Sequence, residues 1–232
     1  RKIRNEYGVS RKTEIRDEIT EINIDPAMMI PKEDVIVVVT KDGYVKRVSL
    51  RSYSSSKDED TLVKEGDYVI GMYEINTINT ILLFTNLGNY LYLPVREINE
   101  SKFKDVGSHV SSIIKVSDGE RIVKTIAVHK FDDSILTIFT KKGMVKRVPL
   151  NAFEVSRYTK PIMMFKLKDN DELVSVSRYQ GEYAIIVTSD GYALKYKTDE
   201  IPVVGIRTSG VKSIKLNPKA NVVNGFVVND NK

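Results

Sequence analysis

Short apolar runs recur along the chain, and each one ends at a threonine that stands three residues before a glycine. The runs are rich in valine, isoleucine, leucine and phenylalanine, a composition typical of buried strands. The glycine can supply the positive φ that a short hairpin loop requires, and a returning strand follows it. The pattern predicts four β-hairpins, IVVVTKDGYVKRVSL, ILLFTNLGNYLYLPV, LTIFTKKGMVKRVPL and AIIVTSDGYALKYKT. Their turn glycines are Gly43, Gly88, Gly143 and Gly191, and their threonines are Thr40, Thr85, Thr140 and Thr188.

The hairpins form an internal repeat, because their glycines are 45, 55 and 48 residues apart. A second signature lies between hairpins and consists of an apolar-Lys-apolar strand, a polar turn and another apolar pair. It reads IKVSDGERIV, FKLKDNDELV and IKLNPKANVV, and it is degenerate before the second hairpin. Each unit therefore offers about four short strands, and the period is typical of a β-propeller blade. The alternative is a β-sandwich whose hairpins are similar by chance.

We expect an all-β fold, a propeller-like ring of four-stranded blades with about four complete blades and the start of a fifth. The third copy of the second signature ends at Val223, and no further hairpin motif follows it in the sequence. The blades are assigned to residues 23–232, as a domain incomplete at its C-terminus. Residues 1–22 are predicted to be a short helical or extended connector, in which Ser10 is a candidate N-cap.

Composition narrows the class of protein. Hydrophobic residues make up 41% of the chain and charged residues 29%, which is ordinary for a soluble globular protein. No apolar run has the length of a membrane span, and the charged N-terminus is unlike a signal peptide. The absence of cysteine excludes disulfides and thiolate metal sites. The net charge of +5 is mild, so the placement of the cations matters more than their total.

Cations occupy equivalent places in the repeats. The fourth position after the turn glycine holds Arg47, Tyr92, Arg147 and Lys195, and a lysine precedes each of the two arginines. The loops after the second, third and fourth hairpins are also basic. On radial blades these groups would form a curved basic stripe, which suits the phosphates of duplex DNA. The candidate DNA-binding residues are Lys46, Arg47, Lys102, Lys104, Lys142, Lys146, Arg147, Arg157, Lys160, Lys195, Arg207 and Lys212.

Other interpretations of the polar residues stay open. Exposed strand edges are often guarded by lysine, so the cations could be solvated edge guards. His109 and His129 have no clustered partners, so we expect no metal site. The carboxylates of KDED (57–60) and KDNDE (168–172) are expected to form turns. With no Gly-rich phosphate loop and no acid, base or nucleophile cluster, we expect no catalytic residues and no cofactor in this chain.

Several stretches together carry a family resemblance: EYGVSRKTEI, VIVVVTKDGYVKRVSLRSY, LLFTNLGNYLYLPV, FTKKGMVKRVPLNAF and GIRTSGVKSIKL. They resemble the C-terminal β-pinwheel domain of the A subunits of bacterial type IIA topoisomerases, the family of DNA gyrase and topoisomerase IV. The resemblance implies that neighbouring blades exchange strands and that the outer edge binds and bends duplex DNA. It makes residues 1–22 a connector from an upstream coiled-coil or DNA-gate region.

The same resemblance implies a setting for the chain. The parent would be an ATP-dependent type II topoisomerase built from a dimer of A subunits and an ATPase B subunit. It would act in the bacterial cytoplasm at the nucleoid, away from the membrane. Its catalytic tyrosine, its ATP and its Mg²⁺ would lie outside this chain.

One departure separates the two branches of the family. Gyrase A subunits carry a basic, glycine-rich box of the form Q-R-R-G-G-K-G after the first hairpin, whereas this chain has SYSSSKDED there. The resemblance is therefore greater to the topoisomerase IV branch, which implies service in decatenation and relaxation of DNA. A gyrase-type wrapping domain is one alternative, and a propeller that serves as a protein-interaction platform is another.

Overall fold

The structure, a computed structural model, describes residues 2–8, 31–56 and 61–230. The chain divides into one unit at Arg1–Ile30 and another at Pro31–Lys232. In the first unit, helix α1 spans Lys2–Tyr7. The candidate N-cap Ser10 lies outside the described residues, and the domain boundary between residues 22 and 23 stays a prediction.

The second unit is built mainly of short strands. Helix α2, Leu50–Ser55, begins where the Ser49 side chain accepts a hydrogen bond from the backbone N–H of Ser52. Four short 3-10 helices in the described residues span Val95–Glu97, Val110–Ser112, Leu150–Phe153 and Thr198–Glu200. The strands of the described residues are β1 (Asp34–Thr40), β2 (Tyr44–Ser49), β3 (Val69–Asn76), β4 (Thr80–Thr85), β5 (Asn89–Pro94), β6 (Ser108–His109), β7 (Ile122–Val128), β8 (Ile135–Thr140), β9 (Met144–Pro149), β10 (Ile162–Met163), β11 (Leu173–Ser177), β12 (Tyr183–Thr188), β13 (Ala193–Lys197), β14 (Val211–Lys212) and β15 (Val222–Val228).

The strands form four antiparallel sheets, with one predicted hairpin in each. Their orders are β3-β1-β2-β6, β10-β5-β4-β7, β11-β8-β9-β14 and β13-β12-β15. Strands β3, β7, β11 and β15 each pair with the first strand of a hairpin, and the contacts β3–β7, β7–β11 and β11–β15 join neighbouring sheets. These strands therefore form the inner edge of a radial array. The all-β class and the repeat of blades are confirmed.

In each of the first three sheets, the outermost strand is not contributed by the sheet's own hairpin segment. It comes from the part of the chain that lies after the hairpin of the next sheet. Strand β6 follows the second hairpin in sequence, yet it pairs with β2 of the first sheet. In the same way, β10 pairs with β5 of the second sheet and β14 pairs with β9 of the third. Neighbouring blades thus exchange strands, as the family resemblance implied.

The predicted start of a fifth blade needs correction. Strand β15, which the repeat count assigned to a fifth blade, pairs with β12 as the inner strand of the fourth sheet. The described residues therefore form three four-stranded sheets and one three-stranded sheet. The count was wrong because the second signature supplies the inner strand of the preceding hairpin's sheet and not the first strand of the next one.

The core lies between successive sheets. The central strands β1, β4 and β8 of the first three sheets are buried on both faces, whereas β12 of the fourth sheet alternates buried and half-buried residues. One cluster joins Val37 and Val39 of the first sheet to Leu83 and Leu91 of the second. Further clusters fill the space between the second and third sheets and between the third and fourth. The central strands therefore have nearly continuous apolar sequences, as buried strands do.

The four hairpin turns share one construction. In each, the glycine N–H donates to the carbonyl of the threonine three residues before it, at 3.1 Å. The glycine φ angles are 93°, 76°, 80° and 85°, in the left-handed region that an L side chain rarely adopts. At the first three turns the exchanged chain also passes close by. At Gly143, for example, a Cβ would lie 2.8 Å from Cγ2 of Ile214, whereas at Gly191 it would meet nothing within 4 Å.

This contrast predicts a difference between two alanine variants. Gly191→Ala places alanine at positive φ and should lower the free energy of unfolding by about 1 kcal/mol. Gly143→Ala adds a clash with Ile214 and should cost about 2 to 4 kcal/mol in total. Urea denaturation of the two variants measures the difference. Equal losses would show that the exchanged chain does not need the bare glycine.

Candidate nucleic-acid interface

Three exchange segments form the outer rim of the array. They are residues 99–110, 155–165 and 203–213, and each contains one of the short outer strands β6, β10 and β14. Each segment is tied to a hairpin turn by its backbone. The N–H of Val110 donates to the carbonyl of Gly43 at 2.8 Å, that of Met164 to Gly88 at 2.9 Å, and that of Ser213 to Gly143 at 2.9 Å. The turn glycine is therefore the fixed point on which each segment docks.

The exchange segments carry exposed cations at corresponding places. Lys102 and Lys104 lie before β6, and Arg157 and Lys160 lie before β10. Arg207 precedes β14, and Lys212 is part of it. All six side chains belong to exposed residues. The structure thus brings half of the sequence-predicted set to the outer edge of three neighbouring blades.

The chain that follows each of the first two exchange segments contacts the next segment, so the rim is continuous. The backbone N–H of Lys115 donates to the carbonyl of Thr159 at 3.2 Å, next to Lys160. The N–H of Lys166 donates to the carbonyl of Thr208 at 3.0 Å, next to Arg207. Each of these backbone contacts therefore lies within one residue of an exposed cation on both chains.

Lys115, Lys166 and Lys215 are rim cations that the sequence-based set missed. They are the lysines of the apolar-Lys-apolar signature, and all three are exposed. Their apolar neighbours Ile114, Phe165 and Ile214 pack into the core clusters. The alternation of apolar and lysine residues was the signal that could have found them, because alternate side chains of an extended chain face opposite ways.

Lys46 and Lys146 need correction, because their side chains are buried and do not face the rim. Lys46 is 1% exposed and Lys146 is 0% exposed. The Lys46 Nζ donates to the carbonyls of Phe103, at 2.6 Å, and Asp105. Strands β2 and β9 lie inside their sheets with both faces covered, so alternation along the strand does not separate buried from exposed side chains.

The predicted ring of equivalent cations is only partly accessible. Arg47, Arg147 and Lys195 do share one register position, opposite Val37, Thr137 and Ile185. The Arg147 side chain is 19% exposed, with Nε donating to the carbonyl of Ile201 at 2.8 Å and Nη1 3.7 Å from an Asp199 carboxylate oxygen. Exchange segments run beside Arg47 and Arg147.

Lys195 differs because no exchange segment lies beside β13 in the described part of the fourth sheet. Its side chain is exposed, pairs with Asp230, and lies over the Tyr183 ring at 4.2 Å. Lys142 is exposed too, but its Nζ donates to the carbonyl of Asp169 in the turn below it. These two cations are accessible and already have partners.

The carboxylates of residues 168–172 form a turn, as predicted. Asp169 and Asn170 have positive φ, and a carboxylate oxygen of Asp171 accepts the backbone N–H groups of Lys142 and Glu172. Residues 57–60 lie outside the described residues. His109 belongs to β6, where its two ring nitrogens contact the Asp42 carbonyl and the Ser111 hydroxyl. Within residues 2–8, 31–56 and 61–230, no cluster of histidine and carboxylate side chains could hold a metal ion.

Comparison with known proteins places the chain in a family. The sequence matches the family described as DNA gyrase C-terminal domain, beta-propeller, over residues 34–57, 79–129, 135–179 and 182–229. The chain belongs to this family. It is 40% identical over 228 residues to the A subunit of DNA topoisomerase 4 from Bacillus subtilis (strain 168), covering 97% of this chain and 28% of that protein. It is 38% identical to the same subunit of Staphylococcus aureus (strain MRSA252), covering 99% of this chain and 29% of that protein.

Among solved structures, the C-terminal domain of DNA topoisomerase IV superposes with a TM-score of 0.81 at 41% identity. That match covers 86% of this chain and 62% of the other. The chain spans less than a third of the length of the curated relatives it matches. No helix among the described residues has the length and apolarity needed to cross a membrane.

The buried ammonium groups have perturbed proton affinities. Burial lowers the pKa of Lys146 to about 8. Burial also lowers the pKa of Lys46, and the nearby Asp105 carboxylate opposes that change. Removing a charge from water without a paired carboxylate disfavours the protonated form, which explains the larger change at Lys146.

The pKa of Lys146 predicts a pH-dependent stability. An unfolded lysine keeps its proton up to about pH 10.5. Between pH 8 and that value the unfolded chain binds more protons than the folded one, so this group makes stability rise with pH. From pH 7 to pH 10, the free energy of unfolding of the wild type should rise by about 2 kcal/mol relative to Lys146→Met.

Urea denaturation of both proteins at the two pH values measures that difference. Tyrosine ionisation is common to both proteins and cancels. Leu91→Met, at the equivalent position of the second sheet, is the control and should show no such pH effect. A wild-type advantage that stays constant with pH would mean that Lys146 keeps its ordinary pKa.

Proposed function

We propose that the chain binds duplex DNA along its outer rim without sequence preference and bends the duplex around that rim. The observation that carries the proposal is the continuity of the three exchange segments, with exposed cations on each one and at each junction. Evenly spaced cations along an outer edge can neutralise successive phosphates of a duplex that curves to follow it.

The form of the rim supports binding to phosphates and not to base edges. The rim consists of loops and two-residue strands. In the described residues, α1 and α2 have six residues each, about 9 Å of helix, which is short for a recognition helix in a major groove. Cations on loops without such a helix favour contacts that do not depend on sequence.

The names of the relatives indicate in which kind of enzyme the chain would bind DNA. The curated relatives are A subunits of DNA topoisomerase 4. We therefore place the chain in a type II topoisomerase, as a non-catalytic module that serves decatenation and relaxation in the bacterial cytoplasm at the nucleoid. In this proposal its partners are a dimer of A subunits and an ATPase B subunit, while ATP and Mg²⁺ bind elsewhere in the parent.

A gyrase-type wrapping domain is the second candidate, because the matching family is described by the name of DNA gyrase. The stretch after the first hairpin argues for the first candidate, since in place of a basic glycine-rich box it begins with helix α2. Incubating the chain with relaxed circular DNA and a nicking-closing enzyme separates the two. Strong positive writhe would favour wrapping, and weak or no writhe would favour bending alone.

Substitutions along the rim test the proposed function. Lys102→Ala, Lys160→Ala and Arg207→Ala each remove one cation from a different exchange segment. Each single change should weaken binding to a generic duplex only a few-fold, because water screens an exposed charge pair. The triple variant should bind much more weakly. Its log-log salt slope should be shallower by about 0.9 for each phosphate that is no longer neutralised.

The control is the pair Lys124→Ala and Lys130→Ala, which removes two exposed cations, one on β7 and one beyond its end. This pair should leave the salt slope nearly unchanged. Salt titration by fluorescence anisotropy measures all the variants. The proposal fails if the triple variant keeps the wild-type affinity and slope, or if the wild type prefers one sequence strongly.

A further inference from the structure

We propose that Lys146 is a positioning residue for DNA binding, whose buried ammonium group holds the backbone on both sides of Arg207 so that Arg207 stays on the rim. This inference rests on the proposed function and deepens it. It also assigns a role to the lysine of the hairpin's Lys-Arg pair, which is buried.

The contacts of the ammonium group surround Arg207. The Lys146 Nζ donates to the carbonyls of Gly205 and Thr208, each at 3.2 Å, and lies 3.2 Å from the Thr208 hydroxyl. It also donates to the carbonyl of Met164 at 2.7 Å. That same carbonyl accepts the backbone N–H of Arg207 at 2.8 Å. The loop is therefore tied on each side of Arg207 and at Arg207 itself.

The loop needs such an anchor because only single β-bridges hold its backbone, at Val203 and at Thr208. Arg207 has a φ of 67°, which is unfavourable for a residue with a side chain. The Gly205 carbonyl also accepts the Thr208 hydroxyl and the Thr208 carbonyl also accepts the backbone N–H of Lys166, each at 3.0 Å, so the ammonium group adds a second, charged donor to each oxygen. An ammonium group has three donors and can satisfy carbonyls from separate turns of the chain at once. An apolar side chain of the same length could not.

The first sheet contains the same construction. The Lys46 Nζ donates to the carbonyls of Phe103 and Asp105, which flank Lys104. In both sheets the Nζ also lies near a ring, 5.4 Å from the Phe103 centroid in one and 4.9 Å from that of Phe165 in the other. In both sheets the buried lysine at this position donates to carbonyls of the exchange segment docked beside it, which argues that the lysine serves the rim loop.

The second sheet is a natural contrast. Its equivalent residue is Leu91, which is buried in the apolar core. There the exchange segment is held by Tyr158, whose ring stacks on Tyr92 at 5.7 Å and whose hydroxyl donates to Glu97 at 3.2 Å. Where the lysine is missing, the Tyr158 contacts hold the exchange segment instead. All three segments are therefore held in place by a side-chain contact, although the residue differs.

A double-mutant cycle in the 232-residue chain tests the inference. The variants are Lys146→Met, Arg207→Ala and the double variant, with a random-sequence duplex as probe at pH 7 and several salt concentrations. If Lys146 acts through Arg207, each single variant should bind a few-fold more weakly with a slope shallower by about 0.9. The double variant should bind like Arg207→Ala and not with the product of the two losses.

Two controls separate positioning from general effects. Val148→Ala removes buried volume from the same face of β9 and lowers stability without touching the loop, so it should leave affinity and slope unchanged. Lys124→Met removes one exposed charge from β7 and tests the effect of net charge alone. Lys146→Gln keeps two N–H donors, should bind between wild type and Lys146→Met, and carries the test if the methionine variant does not fold.

Hydrogen exchange gives a readout that does not need DNA. In Lys146→Met, the amides of residues 205–210 should exchange faster than in the wild type and in Val148→Ala. Wild-type affinity and slope in Lys146→Met, or losses that multiply in the double variant, overturn the positioning role while the proposed function stands. A wild-type chain that does not bind duplex DNA overturns the proposed function and this inference with it.

Discussion

The pairing of an exchange segment with the hairpin of the preceding sheet is the interaction on which the rest of the molecule depends. Each of the first three sheets is completed at its outer edge by chain that has already passed through the next sheet. No sheet of these three can reach its native form before the following hairpin is in place. In an ordinary repeat protein, neighbouring blades contact one another only through side chains. Here they are also joined by backbone hydrogen bonds.

That pairing explains why the hairpin motif is so constant. A glycine is needed for the turn, and the same bare glycine lets the exchange segment reach the turn carbonyl, as Val110 does at Gly43. The threonine three residues earlier serves the turn from the other side, since its hydroxyl accepts the N–H of Tyr44 in the first hairpin and of Met144 in the third. One short motif therefore satisfies the turn and the docking site together.

The sequence alone was enough to predict the hairpins, the repeat and the all-β ring, because these follow from local signals: apolar runs, positive-φ glycines and a steady period. The depth of each lysine could not be predicted in that way. Lys46 and Lys104 have the same charge, and only the path of an exchange segment tells which one is covered. The exchange segment that covers Lys46 is about 60 residues away in sequence, so a local pattern of apolar and polar residues cannot predict the contact.

The exchanged architecture also shapes what binding at the rim would do to the protein. The exchange segments that carry the cations join neighbouring blades by backbone hydrogen bonds. The bonds from Lys115 to Thr159 and from Lys166 to Thr208 lie next to Lys160 and Arg207. A duplex on the proposed path would contact both sides of each junction. Because a ligand stabilises whatever arrangement it binds best, phosphates there would favour the docked state of the segments. DNA binding and the integrity of the blade array would then be thermodynamically linked, with the buried lysines under the rim as part of the connection.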